Sequence, residues 1–95
     1  MTSKAAIISA ITARVDISKT VNYSAWRIGL THDLQNRRDY WKNDQKDSIE
    51  HWMSWEAESL ADAQDIENYF INTKKMKGGT GGDLSARQRV FVYIF

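Results

Sequence analysis

Residues 90–95, Val90, Phe91, Val92, Tyr93, Ile94 and Phe95, are apolar or aromatic at every position. A run this short is too brief for a core helix, and its β-branched and aromatic content belongs to a strand. With no polar face in the pattern, such a strand is expected to be covered on both sides, which calls for a sheet carrying further layers. Ninety-five residues are enough for one core, so residues 1–95 are expected to form a single domain. The chain has no cysteine, which excludes disulfides, thiolate catalysis and cysteine-ligated zinc. Stability then rests on packing, with four Trp, four Tyr and three Phe carrying much of the core.

The remaining elements follow from periodicity and capping. Ile7, Ile8, Ile11 and Val15 recur at helical spacing behind Ser3, which predicts a helix over 3–15. Residues 23–30 alternate, with Trp26, Ile28 and Leu30 on one face and Tyr23, Ala25, Arg27 and Gly29 on the other, which predicts a strand. Thr31 and Asp33 suit the start of a second helix running to about Asn43. Residues 49–55 mix aromatics with polar alternation and predict a second strand. Ser59 and Asp62 resemble a capping box opening a third helix to about Lys75, with the glycines from Gly78 expected to stop it. The fold class is thus α+β, a small sheet of about three strands flanked by helices in the order αβαβαβ.

A net charge of +1 conceals segregation: residues 47–67 hold seven acids and no Lys or Arg, whereas residues 72–89 hold five Lys or Arg against one Asp. A basic flank of this kind permits binding to a phosphate backbone without requiring it. No apolar run approaches the ~20 residues that cross a bilayer, and residues 1–20 lack the pattern of a secretory signal. No membrane association is therefore expected, and the protein is expected to stay in the cytoplasm.

Two sets of residues stand out chemically. On the second helix Leu34, Arg37, Arg38 and Trp41 share a stripe. Either the arginine stems cover apolar surface with their heads in water, or a guanidinium crosses the small-residue face of the strand to hold a phosphate. On the third helix Glu67 falls inside the apolar arc of Leu60, Ala63, Ile66, Phe70 and Ile71. A carboxylate there needs a partner, either an arginine of the second helix or a hard cation, Mg²⁺ or Mn²⁺, that takes oxygen ligands. Gly78 to Gly82 could form an anion nest beside Lys74, Lys75 and Lys77, although no Gly-Lys-Ser/Thr follows, and a plain helix-to-strand connection is the stronger expectation. His32 and His51 lack metal-ligand spacing, and Trp52 and Trp55 are expected on opposite strand faces.

Residues 26–38 and the later Ala63, Ile66 and Glu67 resemble the GIY-YIG nucleases. Ile28-Gly29 is similar to the end of that family's second signature strand, Asp33-Leu34 to the pair that follows it, and Arg37, eight residues after the glycine, to its catalytic arginine. Ala63, Ile66 and Glu67 resemble its Ala-x-x-(apolar)-Glu pattern, whose glutamate holds the divalent metal. The likeness covers about half the chain. It implies a metal-dependent endonuclease using Mg²⁺ or Mn²⁺ on Glu67, with Arg37 stabilising charge at phosphorus. Four features depart from the pattern: Arg27 stands where the family has tyrosine, no Gly-Ile-Tyr segment lies upstream, Trp41 stands where the helix histidine is expected, and the family's late asparagine has no clear counterpart after the third helix. Tyr23 is then the nearby phenol expected to orient or deprotonate water. Loss of those groups implies the alternative of a non-catalytic module on the same scaffold. Such a module would bind nucleic acid or a protein partner through Arg27, Arg37, Arg38, Lys74, Lys75 and Lys77.

Overall fold

The computed structural model describes residues 1–18, 22–46, 48–78 and 84–95. Helix α1 spans Lys4–Asp16, with the Ser3 hydroxyl accepting from the Ala6 amide and so satisfying one of the free N–H groups of the first turn. Strand β1, Ile28–Thr31, is preceded by a 3-10 turn at Tyr23–Ala25. This is shorter than the expected strand over 23–30. The side chain of Asn22 accepts from both the amide and the hydroxyl of Ser24, and that local bonding winds the chain into a turn before it can extend. Helix α2 covers Leu34–Asp39 under an Asp33 cap and continues as a π-helical turn, Tyr40–Asp44, in which the Gln45 amide donates to the Tyr40 carbonyl.

Strand β2 is Met53–Glu56. Helix α3, Leu60–Asn72, is opened by Ser59, whose hydroxyl accepts from the Asp62 amide as expected of a capping box. The helix ends before the glycines. Lys75 takes the left-handed conformation, with φ of 67°, and the Met76 amide turns back to the Phe70 carbonyl, so the buried Met76 docks the exit. Strand β3 is Phe91–Ile94. Gly79 to Gly82, most of the proposed anion nest, lie outside the described residues.

The three strands form an antiparallel sheet in the order β1-β3-β2, which gives the all-apolar segment the central place. The register pairs Ile28 with Ile94, Gly29 with Tyr93 and Leu30 with Val92, and on the other side Trp55 with Val92 and Ser54 with Tyr93. Because side chains alternate, Ile28, Leu30, Val92, Ile94 and Trp55 share one face, and Gly29, Thr31, Phe91, Tyr93, Ser54 and Glu56 share the other. The first face is covered by α3 and α1, which add Ala63, Ile66, Phe70, Ile7, Ile11 and Val15 to one hydrophobic core. The second face receives Trp41 from the π turn. Two short bridges lengthen the edges: Lys77 runs parallel to Arg27 beside β1, and Thr2 runs parallel to Ala57 beyond β2. Among the described residues no helix is long and apolar enough to cross a membrane.

Candidate functional site

Tyr93 is the centre of the second face. Its register partner is Gly29, and a β-carbon at position 29 would collide with the phenol oxygen, so the ring lies across the glycine toward the outer side of β1. Here the requirement for glycine is close approach, since its backbone is ordinary β. The Trp41 indole N–H donates to the Tyr93 hydroxyl at 3.0 Å. Trp52, just ahead of β2, stacks on the ring with centroids 4.7 Å apart and planes 9° from parallel, and Phe95 lies against Trp41 and Trp52 at 5.2 and 5.7 Å. Arg27 sits over the Trp41 ring at 4.6 Å and Arg37 over Tyr40 at 5.1 Å, so both guanidinium groups are held by aromatic faces.

The electrostatics of Tyr93 report what surrounds it. Burial pushes the phenol above its ordinary value, and the charge of Glu67 acts in the same direction. The Trp41 donor and the positive charges of Arg37 and Arg27 oppose them by favouring the phenolate. Of these charged groups, Arg27 is tied to the phenol through Trp41, which its guanidinium covers and whose N–H donates to the Tyr93 hydroxyl. Glu67 itself is half-buried. Its Oε2 is closed off from solvent with no hydrogen-bond partner, and burial pushes its carboxyl up to about 7. The arginine salt bridge expected for it is not formed: the ion pairs among the described residues are Lys4–Asp65 and Arg89–Glu56.

The other expected residues are distributed more widely. Tyr23 is not on the strand face of Arg27. The 3-10 turn rotates it onto the core side, where its ring stacks 6.2 Å from Phe70 and carries Lys74 at 5.4 Å. Lys74 is therefore occupied on the core side as well. Arg38 is exposed, and Lys75 is exposed at the close of α3. Lys77 does meet Arg27 through the parallel bridge, where the Lys77 amide donates to the Trp26 carbonyl and the Ile28 amide to that of Lys77. Trp52 and Trp55 lie on opposite faces as expected, and His51 is exposed, accepting from Arg14 at Nδ1. His32 is structural. Its Nδ1 donates to the Arg89 carbonyl and its Nε2 accepts from the Ser85 amide, both at 2.8 Å, which defines a neutral ring.

Three partners of this cluster escaped the sequence: Tyr93, Trp41 as its donor, and Gly29 as the opening beneath it. A signal was present. Phe91, Tyr93 and Phe95 alternate with Val90, Val92 and Ile94, so the aromatic residues share one face of a strand that is apolar overall.

The aromatic cluster holds a phenol and two guanidinium groups, and Glu67 on α3 carries a buried carboxylate oxygen without a hydrogen-bond partner. Glu67 suits a hard divalent cation, since an orphaned carboxylate oxygen is the donor such an ion takes. Among the described residues no group of three or more His, Cys, Asp or Glu comes together, so any ion on Glu67 would draw its remaining ligands from water and substrate. No family model, curated protein or solved structure matches this chain.

Proposed function

We propose that the protein is a GIY-YIG-like endonuclease domain, hydrolysing phosphodiester bonds in nucleic acid with Mg²⁺ or Mn²⁺, and that Tyr93 takes the part the sequence assigned to Tyr23. One observation carries this proposal: Trp41 meets both the Tyr93 hydroxyl, to which its N–H donates at 3.0 Å, and the Arg27 guanidinium, 4.6 Å over its ring, so a permanent cation stands beside a fixed phenol. Arg37 and Arg27 present permanent cations to the non-bridging oxygens of a phosphodiester, whose negative charge grows as phosphorus is attacked. The Tyr93 phenol, held by the Trp41 N–H, is fixed in orientation and can accept a hydrogen bond from water or donate one to a phosphate oxygen. Glu67, ionised, would hold the divalent ion, whose chemistry when bound would be Lewis-acid activation of phosphate and water. An intracellular location goes with such a substrate.

Supercoiled plasmid incubated with Mg²⁺ or Mn²⁺ tests the proposal. The wild type is expected to nick it, and Arg37→Ala and Glu67→Ala each to lose roughly 100- to 1000-fold in rate. Tyr93→Phe, which keeps the ring stack, is expected to lose ~100-fold. Absence of metal-dependent nicking at high protein concentration refutes it. A second reading is a non-catalytic binding module. It is supported by Arg27 and Trp41, which contact each other where the family pattern has tyrosine and histidine. It expects nucleic-acid affinity indifferent to chelator and no cleavage.

A further inference from the structure

Two neighbouring cavities open beside the Phe95 end of the aromatic cluster. The larger, about 560 Å³, is lined by Arg14, Trp26, His51 and Phe95; the smaller, about 190 Å³, by Arg27, Lys77 and Phe95; and both share Ala25 and Ser48. They form one groove that begins at α1, crosses the edge of the Phe95 ring and ends at the Arg27–Lys77 bridge. Its charge is unbalanced. Among the described residues Arg14, Arg27 and Lys77 contribute three cations, none of them in an ion pair, and Glu50 is the one acid that lines it.

The cations are also held in place. Arg14 donates to His51 Nδ1 at 3.0 Å and rests 5.6 Å over Trp26, and Arg27 rests over Trp41, so their stems are packed while N–H groups remain for an anion. Lys77 is fixed through its backbone on both sides. Cations along a channel floored by the half-buried ring of Phe95 and walled by the exposed ring of His51 fit a chain that alternates phosphates with planar bases. In a duplex the base faces are turned inward and cannot reach such rings, whereas in a single strand they are free.

We infer that this groove is a binding track for single-stranded nucleic acid, with Arg14, Arg27 and Lys77 contacting successive phosphates, the exposed His51 ring offering a face to a base and Phe95 presenting its edge. The track leads through Arg27 to Tyr93, so it rests on the proposed endonuclease site for what becomes of a bound strand, and on the groove alone for binding.

Fluorescence anisotropy of a labelled single strand of roughly twelve nucleotides, in chelator, separates the two. Three phosphate contacts predict that log affinity falls with log salt at a slope of about −2, each contact contributing about −0.7. Arg14→Gln and Lys77→Gln are each expected to weaken binding about fivefold at roughly 0.1 M salt and to flatten the slope by about 0.7. A duplex of the same length is expected to bind less tightly than the strand. Wild-type protein that binds the strand in chelator but does not nick plasmid when Mg²⁺ or Mn²⁺ is supplied refutes the endonuclease and keeps the track. No binding at about 20 mM salt overturns the track, as does unchanged affinity in both groove variants or a preference for duplex. Lys77, whose side chain is exposed, supplies the variant whose folding is not in question, and circular dichroism melting checks Arg14→Gln.

Discussion

Replacing Glu67 with glutamine removes the one buried carboxylate oxygen that lacks a partner among the described residues, and its consequence for stability follows from the direction of the pKa change. Glu67 titrates at 4.5 when unfolded and at about 7 when folded, because burial disfavours its charge. Below pH 4.5 both states are protonated and the group contributes nothing. Between the two values the unfolded state releases its proton first, so stability falls as pH rises, and above about 7 the full cost remains. That cost is up to about 3 kcal/mol, reduced to about 2 by the part of the side chain that solvent screens. Glu67→Gln is therefore expected to match the wild type near pH 4 and to exceed it by about 2 kcal/mol near pH 8, or roughly 8 to 16 °C in Tm. Urea unfolding followed by tryptophan fluorescence at a series of pH values measures this. Mg²⁺ or Mn²⁺ adds a second difference, since at ten times its Kd an ion on the ionised carboxylate restores about 1.4 kcal/mol to the wild type and nothing to the glutamine variant. Parallel pH profiles for the two proteins would refute both the burial and the lack of a partner.

Three further outcomes are expected. Gly29→Ala places a β-carbon against the Tyr93 hydroxyl and should cost about 1–3 kcal/mol in chemical denaturation, with a changed tyrosine and tryptophan fluorescence as Trp41 loses its acceptor. Phe70→Ala empties a fully buried site against Tyr23 and Tyr69 and should cost about 3–5 kcal/mol in the same measurement. Nitrogen chemical shifts of His32 should show a proton on Nδ1 and none on Nε2 at neutral pH, and an Nε2-protonated ring would contradict the bond from the Ser85 amide.

The helices and strands were legible in the sequence wherever local bonding and periodicity agree. Ser3 and Ser59 cap the helices they precede, and Ile7, Ile11 and Val15 on α1 and Ala63, Ile66 and Phe70 on α3 are the buried stripes that their spacing predicts. Agreement fails where two local preferences compete. Asn22 converts the start of the expected first strand into a turn, which carries Tyr23 to the core. The π turn at Tyr40 leaves Arg38 exposed, although helical spacing places it with Arg37 and Trp41. Lys75 ends α3 in a conformation that the glycines downstream were expected to supply.

Within the candidate site, residue type and spacing on a single element were enough to single out Glu67, since a carboxylate in an apolar arc conflicts with its own desolvation wherever the helix docks. They were also enough to single out Arg37, and to require cover on both faces of the 90–95 strand. No spacing rule joins Tyr93 to Gly29. Those residues are 64 positions apart and meet only because β3 enters between β1 and β2, in a register that sets the ring over the glycine. Antiparallel pairing is specified by which faces are buried and by how the intervening chain returns, and both are properties of the assembled sheet. The identity of the phenol, its indole donor and the guanidinium laid over that indole were therefore decided by tertiary structure alone.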